Sequence, residues 1–378
     1  MGRKNLPIPA GVAEILCRLQ QAREEGYLVG GCVRDWYMGI PPHDYDITTS
    51  ALPQRVAELF ADRGVIETGI AHGTVTVRTA DGPVEVTTYR QDGDYSDHRH
   101  PDQVSFTRSL REDLARRDFT MNAMAMDAQG ALQDPFHGQA DIDEGLVRCV
   151  GEADRRLEED ALRILRGLRF AARLGFALEP QTATAMHRKK ELLREIAAER
   201  VFAELCGLLQ GDYAAQILQA HRAVLEVVLP EMGAIEEISG PPTFGMARLL
   251  AKAKEPTEPL ARLKAPNAFK AEVLMLIENQ QLPCPKDRQE LYRLAVALGA
   301  ENLRKVYAYH GWEVGVLEAF LAERPCLSVK DLAISGKDLL ALGYQGPAIG
   351  KTLENLLHQI AAAQLPNTRE ALLKALRD

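Results

Sequence analysis

The fold prediction starts from residues 26–49, which read GYLVGGCVRDWYMGIPPHDYDITT. The apolar run that ends at Val29 predicts a buried strand, and the residues after the Gly30-Gly31 pair predict a helix. A second strand is predicted from Asp44 to Thr48. Glycines at a turn let the backbone approach a ligand closely, and the first turn of a helix presents free N–H groups. The pattern is therefore typical of a phosphate site beside a β-sheet, although for the glycines alone a tight turn is the alternative interpretation.

Three carboxylates near this turn are candidate metal ligands. Asp44 and Asp46 are two residues apart in the predicted strand, so their side chains project from the same face. Glu85 alternates with Pro83 and Thr87 in a later predicted strand, which makes it the third candidate. Such carboxylates can hold two Mg²⁺ ions that activate a hydroxyl group and neutralise a leaving pyrophosphate. For the two aspartates alone, an exposed acidic strand end is the alternative interpretation.

The sequence beyond the turn predicts a hairpin, a long loop and then a helical region. Two alternating runs, 73–79 and 83–90, are joined by turn residues and predict the hairpin. The stretch from Gln91 to Arg108 is too polar for a strand and predicts a long mobile loop. From about residue 152 onward the apolar spacing is helical, and no further strand is predicted.

The composition is that of a folded protein without a membrane anchor. The 378 residues suggest two or three folding units, and 46% of them are hydrophobic. No run of about 18 apolar residues and no apolar signal segment occurs, so we expect a cytoplasmic protein without membrane association. The six cysteines are widely spaced, which argues against a disulfide framework or a zinc site. The net charge of −8 argues only weakly against a nucleic-acid partner, because the local field along an RNA path decides binding.

Several motifs resemble those of a known enzyme family. Gly30-Gly31, Arg34-Asp35 and Asp44-x-Asp46 together resemble the signature of the polymerase-β nucleotidyltransferase superfamily. Three more motifs follow in the order found in class II tRNA nucleotidyltransferases and bacterial poly(A) polymerases, namely RRDFTMNAMA (116–125), DPFHGQADI (134–142) and EEDALRILRGLRFAARLGF (158–176). The C-terminal stretch 330–357 resembles the tail of bacterial CCA-adding enzymes. The resemblance is strong over about the first 205 residues and weak between about 210 and 325.

The resemblance implies an α+β fold, in which a polymerase-β-like nucleotidyltransferase head with a small mixed sheet is followed by an all-α neck, body and tail. The implied segments are a catalytic head (1–150), a helical neck with the nucleotide-selecting helix (151–210), a helical body (211–325) and a helical, tRNA-binding tail (326–378). The implied partners are CTP, ATP and a tRNA that lacks all or part of its 3′ CCA. No obligate protein partner is indicated.

The resemblance also assigns residues to the incoming nucleotide. They are Gly30, Gly31, Arg34, Arg116, Arg117, Asp118, Asn122, Asp160, Arg163, Arg166 and Arg169. Guanidinium groups suit phosphate oxygens, and a carboxylate or amide can accept a hydrogen bond from a ribose hydroxyl. In the same way the resemblance implies that Asp44, Asp46 and Glu85 are the catalytic residues and bind Mg²⁺.

Asp160 and Arg163 match the amino-acid template with which the family selects the base. They are three residues apart on a predicted helix, so they share a face. A carboxylate only accepts and a guanidinium only donates, so the pair fits a base edge that carries a donor beside an acceptor. Cytosine offers N4–H beside N3 and adenine offers N6–H beside N1, whereas guanine and uracil present the reverse order and would be rejected. For the pair alone, an intrahelical salt bridge is the alternative interpretation.

The predicted neck is rich in basic side chains that are candidates for an RNA path. They are Arg163, Arg166, Arg169, Arg173, Arg188, Lys189 and Lys190. We expect some of them to contact the acceptor stem through its backbone and shape, because the enzyme must accept every tRNA. A solvated helix face is the alternative interpretation.

Several other functions are weighed against CCA addition. A poly(A) polymerase shares the head and neck motifs but not the tail. CC-adding enzymes have a shortened loop between the head strands and the RRDFT motif, whereas A-adding enzymes keep the long loop. Here the loop keeps the family's Asp92, Tyr95, Asp97, Arg99 and Pro101. A catalytically silent RNA-binding relative would have lost the carboxylates, which are present. The motif that contains Asp160 and Arg163 argues against an antibiotic-modifying nucleotidyltransferase. We therefore predict two-metal addition of CCA to tRNA, with A addition or poly(A) synthesis as the alternatives.

Overall fold

The computed structural model describes residues 8–93, 104–234 and 237–377. The chain divides into two compact units, of which unit 1 consists of Met1–Pro242 with Lys252–Ala265, and unit 2 of Thr243–Ala251 with Pro266–Asp378. The predicted head and neck both lie in unit 1. The candidate site that the sequence predicts is therefore built within this unit.

Unit 1 contains the predicted mixed sheet. The strands of the described residues are β1 (Gly26–Val29), β2 (Asp46–Thr49), β3 (Val65–Ile66), β4 (Thr74–Thr79), β5 (Gly82–Thr88), β6 (Arg90–Asp92), β7 (Val104–Phe106), β8 (Ala125–Met126), β9 (Leu132–Gln133), β10 (Leu146–Val147) and β11 (Ala177–Leu178). Seven of them form one sheet in the order β3-β4-β5-β2-β1-β8-β9. β2 and β5 run parallel, whereas the other neighbours run antiparallel.

The alternation of β4 and β5 gives the sheet one buried face. Val75 and Val77 on β4 and Val84 and Val86 on β5 are buried, and the residues between them are not. The two strands form the predicted hairpin. Because alternate side chains of a strand point to opposite faces, the burial of these valines directs Glu85 to the accessible face.

Helices make up most of the remaining chain. In chain order the α-helices are α1 (Ala10–Gln21), α2 (Gly31–Tyr37), α3 (Pro53–Leu59), α4 (Leu110–Ala115), α5 (Gly138–Glu144), α6 (Ala153–Glu159), α7 (Leu162–Leu174), α8 (Pro180–Lys189), α9 (Ala198–Leu209), α10 (Ala214–Ala220), α11 (Arg222–Leu225), α12 (Pro242–Leu250), α13 (Thr257–Arg262), α14 (Asn267–Glu278), α15 (Arg288–His310), α16 (Val314–Ala322), α17 (Gly336–Ala341), α18 (Pro347–Ala361) and α19 (Arg369–Ala375). Short 3₁₀ helices occur at Ala61–Arg63, Ile70–His72, Thr120–Asn122, Lys190–Glu195 and Val329–Asp331. From α14 onward all of these helices belong to unit 2. None of the described helices is both long and apolar enough to cross a membrane.

A small apolar cluster fixes the segments that carry the predicted site. Val29, Leu114, Ala123, Ala125 and Val150 pack together and are almost completely buried. The first of these residues ends β1 immediately before the glycine turn, and the second lies in α4 just before the RRDFT motif. Burial of this cluster therefore places the turn and the motif next to each other.

Unit 2 is helical and contains two clusters of buried residues. One includes Leu339, Leu356 and Leu372, and the other is built around α15 and α16. Within α15, Gly299 has a φ of 75° and a ψ of 159°, which are not helical values. α15 therefore consists of two helices joined at this glycine, which can adopt a positive φ without steric strain.

Two secondary-structure predictions outside the candidate site are wrong. The ends of the polar stretch 91–108 form strands, because β6 pairs antiparallel with β7 through backbone hydrogen bonds that need no apolar side chains. Tyr95, Asp97, Arg99 and Pro101, expected in the loop between them, lie outside the described residues. β11 lies beyond residue 152 and pairs parallel with β10, so the neck is not entirely helical. A two-residue strand is too short to leave a periodic pattern in the sequence.

Candidate active site

Gly30 joins β1 to α2 in a conformation that favours glycine. Its φ is 79° and its ψ is −134°, values that other residues rarely adopt. A Cβ atom at this position would lie 3.2 Å from Nη1 of Arg117. The absence of a side chain therefore allows an arginine of a distant segment to reach the turn. Gly31 is the first residue of α2, so the predicted order of strand, turn and helix is confirmed.

The parallel strands bring two of the predicted metal ligands together. Asp46 is the first residue of β2, and its register partner on β5 is Glu85. Both residues are exposed. Asp44 lies in a bend before β2 and not in the strand as predicted. The strand begins at Asp46 because its pairing with β1 ends there, at the pair of Asp46 and Val29. Beyond Val29 the backbone of β1 turns away at Gly30.

The pKa of Asp46 is raised, both by a partial loss of hydrating water and by other negative charges near its carboxylate. The side chain of Asp46 is accessible, but the protein atoms around its carboxylate displace part of the hydrating water and so raise its pKa, and the negative charges of Glu85 and Asp44 raise it further. The positive charge of Arg117 acts in the opposite direction. A bound cation would relieve the repulsion between these carboxylates.

Asp44 is the most accessible of the three carboxylates. Its side chain is 90% exposed, and Oδ1 lies 3.2 Å from Nδ1 of the neighbouring His43. Among the residues described, no three histidine, cysteine, aspartate or glutamate side chains are arranged as a finished metal site. The structure thus brings Asp46 and Glu85 together and places Asp44 two residues ahead of the pair. Their all-oxygen donor set fits a hard divalent cation.

Asp113, which the sequence analysis does not single out, holds both arginines of the RRDFT motif. Nη2 of Arg116 donates to Oδ1 at 2.8 Å, and Nη2 of Arg117 donates to Oδ2 at 3.5 Å. The hydroxyl of Thr48 on β2 also donates to Oδ2, at 3.0 Å. Burial by itself would raise the pKa of Asp113, but the two arginines outweigh it and the pKa is lowered. This ionised carboxylate therefore ties the arginines to the strand that carries Asp46.

Asp118 connects several predicted nucleotide-binding residues in one network. Its Oδ2 accepts hydrogen bonds from Nη2 and Nε of Arg166 at 2.6 and 2.9 Å. Its Oδ1 accepts from Nδ2 of Asn122 at 3.3 Å, and Oδ1 of that amide accepts from Nη1 of Arg34 at 2.8 Å. Burial would raise the pKa of Asp118, but the charge and hydrogen bonds of Arg166 lower it to about 2. These oxygens are thus bonded to protein donors here, whereas the sequence suggested a ribose hydroxyl.

Asp160 and Arg163 do not share a helix as predicted. α6 ends at Glu159, Asp160 has an extended backbone with a φ of −143° and a ψ of 101°, and α7 begins only at Leu162. Oδ1 of Asp160 accepts a hydrogen bond from the backbone N–H of Leu162 at 3.1 Å. Aspartate competes with helical hydrogen bonding in this way, which is why it favours helix starts. The helical spacing in the sequence does not reveal this break.

Arg163 is buried, and its guanidinium group donates to the following acceptors in the described part of the chain. Its Nη1 donates to the backbone oxygen of Arg156 and to Oε2 of Glu159, both at 2.8 Å. Its Nη2 donates to the backbone oxygen of Arg116 at 3.0 Å. The salt bridge of Arg163 is therefore with Glu159 and not with Asp160. These contacts fix the guanidinium group and join α7 to the RRDFT motif.

Most basic side chains of the neck are paired with acids. Nε of Arg169 donates to Oε2 of Glu204 at 2.6 Å. Two further ion pairs join Arg188 to Asp154 and Lys189 to Glu158. The pairing neutralises much of the positive charge on which the predicted RNA path depends. Arg173, near the end of α7, is exposed.

Four residues without a predicted role hold the predicted ones in place, namely Asp113, Glu159, Arg200 and Glu204. The first two lie three or four residues before the arginines that they bind, and this helical spacing could have identified them. Arg200 and Glu204 bind Asp160 and Arg169, which are 40 and 35 residues away in the sequence. No local pattern reveals a pair of that kind.

Comparisons with known proteins agree with the motifs. The family model of the Poly A polymerase head domain matches residues 26–148, that of a probable RNA and SrmB-binding site of polymerase A matches 175–235, and that of a putative tRNA nucleotidyltransferase domain 2 matches 246–376. The CCA-adding enzyme of Lactiplantibacillus plantarum is 36% identical over 385 residues, which cover 95% of this chain and 93% of the relative. That of Oceanobacillus iheyensis is 49% identical over 205 residues, 54% of this chain and 51% of the relative. The crystal structure of the Bacillus stearothermophilus CCA-adding enzyme in complex with CTP has a TM-score of 0.80 and 31% identity over 97% of each chain.

Proposed function

Because the chain belongs to the family of CCA-adding enzymes, we propose that it adds C, C and A to the 3′ end of a tRNA that lacks all or part of this sequence. It uses CTP and ATP and copies no nucleic-acid template. The family predicted from the motifs is confirmed by relatives that match nearly the whole chain.

The observation that carries the proposal is the meeting of opposite charges at the sheet edge. Asp46 and Glu85 are register partners on β2 and β5. The positive charge of Arg117 partly offsets the rise in the pKa of Asp46, and the side chain of Arg117 reaches the turn at Gly30. Its Nε is buried and has no hydrogen-bond partner among the described residues, a loss of stability that a bound anion would relieve. Carboxylates for cations beside a guanidinium group for phosphate are the two requirements of nucleotidyl transfer.

We assign the binding of two Mg²⁺ ions to Asp44, Asp46 and Glu85. The support is the all-oxygen donor set and the mutual repulsion that raises the pKa of Asp46. Bound cations would supply the positive charge that favours deprotonation of the tRNA 3′ hydroxyl and departure of pyrophosphate. The bond that forms joins the 3′ oxygen to the α-phosphorus of the nucleotide, and the bond that breaks joins this phosphorus to the pyrophosphate.

The nucleotide is held by the residues around the RRDFT motif. Arg116 and Arg117 bind the phosphate oxygens, and both are held by hydrogen bonds to the carboxylate of Asp113. The network through Asp118 supports the same pocket, because its hydrogen bonds connect Arg34 of α2 with Arg166 of α7. We assign Gly30 and Gly31 to the triphosphate, because glycines let a ligand approach the backbone closely, and we assign Asn122 and Arg169 to the nucleotide on the strength of the family motifs. Such preorganised donors stabilise charge without rearranging during the reaction.

Base selection is assigned to Asp160 and Arg163. The support is their placement at the junction of α6 and α7 and the rigid fixation of Arg163 by protein acceptors. A fixed acceptor beside a fixed donor matches the edges of cytosine and adenine and mismatches those of uracil and guanine. The order of additions requires the pocket to accept a pyrimidine twice and then a purine.

The four segments predicted from the sequence remain our proposal for the division of labour. The head (1–150) performs the chemistry, the neck (151–210) selects the base, and the body (211–325) and tail (326–378) bind tRNA. We also propose that the enzyme acts in the cytoplasm, where tRNA and nucleoside triphosphates are available together.

The decisive experiment measures product length on a tRNA that ends just before the CCA sequence. We expect two added nucleotides with CTP alone, none with ATP alone and three with both. The variant Asp46→Ala should give no product and serves as the control for contaminating activity. An enzyme that adds a single A only to a tRNA ending in CC would be an A-adding enzyme, and a long A tract would identify a poly(A) polymerase. Either result would replace the proposal.

A further inference from the structure

Arg200, near the start of α9, contacts the carboxylate to which base selection is assigned. Its Nη2 donates to Oδ2 of Asp160 at 3.0 Å. The other oxygen, Oδ1, accepts from the N–H of Leu162 at 3.1 Å. Each oxygen therefore has one protein donor, which restricts rotation of the carboxylate and leaves each oxygen a lone pair for a further donor.

A second ion pair on the same face of α9 keeps Arg200 in place. Glu204 lies one helical turn after Arg200 and accepts from Nε of Arg169 on α7 at 2.6 Å. One turn further, a Cβ atom at Gly207 would lie 2.4 Å from Cδ of Arg169, which shows how closely the two helices approach. α7 also carries Arg163. The position of Arg200 is thus fixed relative to both members of the proposed base-selecting pair.

The environment of Arg200 is not one that stability alone would favour. Its side chain is 27% exposed, and its buried Nη1 has no hydrogen-bond partner in the part of the chain that the structure describes. A buried donor without an acceptor destabilises the folded state. Local violations of this kind are expected where a residue serves a site more than it serves the fold.

We propose that Arg200 is a positioning residue for base selection, which orients the Asp160 carboxylate toward the exocyclic N–H of cytosine or adenine. The proposal rests on the assignment of Asp160 and Arg163 above. Selection requires the acceptor and the donor to stay side by side, because uracil and guanine differ from the correct bases only in the order of these groups. A carboxylate that could rotate would accept the ring N–H of uracil as well. Loss of Arg200 therefore reduces selectivity.

The test compares Arg200→Gln and Arg200→Lys with the wild-type enzyme. The measured quantity is the ratio of kcat/KM for CTP to that for UTP on a tRNA that ends before CCA. We expect Arg200→Gln to lower the ratio about tenfold to a hundredfold, the usual effect of a hydrogen bond to a charged group. Arg200→Lys keeps a charged donor and should restore most of the ratio. The matched control is Glu199→Gln, which alters the neighbouring residue of α9, an exposed partner of Lys264, and should leave the ratio unchanged.

Asp160→Ala separates the failure of this inference from the failure of the assignment on which it rests. If Asp160→Ala leaves the CTP to UTP ratio at the wild-type value, Asp160 does not select the base and the assignment itself is wrong. If Asp160→Ala lowers the ratio but Arg200→Gln keeps it within about twofold of wild type, only the inference about Arg200 is overturned. An equal loss for CTP and UTP in Arg200→Gln would indicate a structural role and would overturn it too. In the Asp160→Ala background, Arg200→Gln should change the ratio no further.

Discussion

Charged side chains are arranged differently at the sheet edge of the head, where β2 and β5 begin to pair, and at the junction of α6 and α7 in the neck. At the sheet edge, Asp46 and Glu85 lie side by side and their repulsion raises the pKa of Asp46. At the junction, Asp160 is bonded to Arg200 and Arg163 is bonded to Glu159. The carboxylates at the sheet edge are thus arranged for a ligand to complete, whereas Asp160 and Arg163 at the junction are each bonded to a side chain of opposite charge. The first arrangement suits a site that binds cations, and the second suits a site whose geometry must not change with the ligand.

The largest effect is expected at the sheet edge. Asp46→Ala removes a proposed metal ligand but little packing, so we expect nucleotide incorporation to fall by about three orders of magnitude or more while the melting temperature stays near that of wild type. Incorporation of labelled CMP into a truncated tRNA measures the change. Asp62→Ala removes an exposed carboxylate that pairs with Arg18 and serves as the control, which should retain activity. Near-normal Mg²⁺-dependent addition by Asp46→Ala would show that the head does not depend on the carboxylates as proposed.

The next effect concerns the segment between β6 and β7. Replacing Asp94 to Asp102 with a short Gly/Ser linker should leave both C additions nearly normal and lower the terminal A addition by about a hundredfold or more, because a rigid selecting pair needs a separate element to reshape the pocket for a purine. Extension of a truncated tRNA at single-nucleotide resolution, with both nucleotides present, measures this. Full CCA product at the wild-type rate would contradict the switching role. Loss of all additions would assign the segment to support of the head.

A smaller effect is expected at the helix junction. Arg163→Ala should lower kcat/KM for CTP and ATP together, by about tenfold to a hundredfold, and should relax the rejection of UTP, because the donor that opposes the uracil N–H is lost. The control Arg194→Ala removes an exposed arginine that pairs with Glu191 and should have no effect. A variant that lost only ATP addition would require separate sites for the two bases.

The smallest expected effect is a pH dependence of the free energy of unfolding, caused by Asp118 and its ion pair with Arg166. The pKa of Asp118 is about 2 in the folded chain, below its unfolded value of about 3.9. Its contribution to stability is therefore complete above about pH 4 and is lost as the pH falls toward about 2. The difference in the free energy of unfolding between wild type and Asp118→Asn should shrink by about 1 kcal/mol from about pH 5 to about pH 3.

Urea unfolding, followed by tryptophan fluorescence, measures this difference in the free energy of unfolding. It reports on unit 1 alone when Trp36 is the only tryptophan. The chain has two tryptophans, so both proteins carry Trp312→Phe. A difference that stays constant with pH would mean that Asp118 does not depend on Arg166 for its charge. The paired network would then be weaker than its distances suggest.

The parts of the fold that follow local signals could be predicted from the sequence. The glycine turn after β1 and the alternating valines of β4 and β5 are such signals, and both elements are confirmed. β6 and β7 were not predicted, because each has only three residues, too few to leave a clear alternating pattern within the polar stretch around them. The start of β2 was misplaced because it depends on where the partner strand turns away, which the residues of β2 themselves do not encode.

The candidate site shows the same division. Residue types and spacing selected Asp46 and Glu85 as candidates, whereas Arg117 was selected by the resemblance of the RRDFT motif to the family. The contacts of these residues were not predictable, because Asp113 and Arg200 act across the fold and not along the chain. The relation between Asp160 and Arg163 was misjudged for a physical reason, namely that a helix-capping aspartate interrupts the helix whose periodicity suggested a shared face.

The parallel pairing of β2 and β5 has a consequence for how the enzyme is made. Thr48 and Thr87, which are register partners in this pair, are 39 residues apart in the chain. Pairing across such a separation closes a long loop and belongs to the slower events of folding. A head that has formed its hairpin but not this pairing has Glu85 without Asp46. During synthesis on the ribosome, the proposed cation site can therefore form only after this crossover is complete.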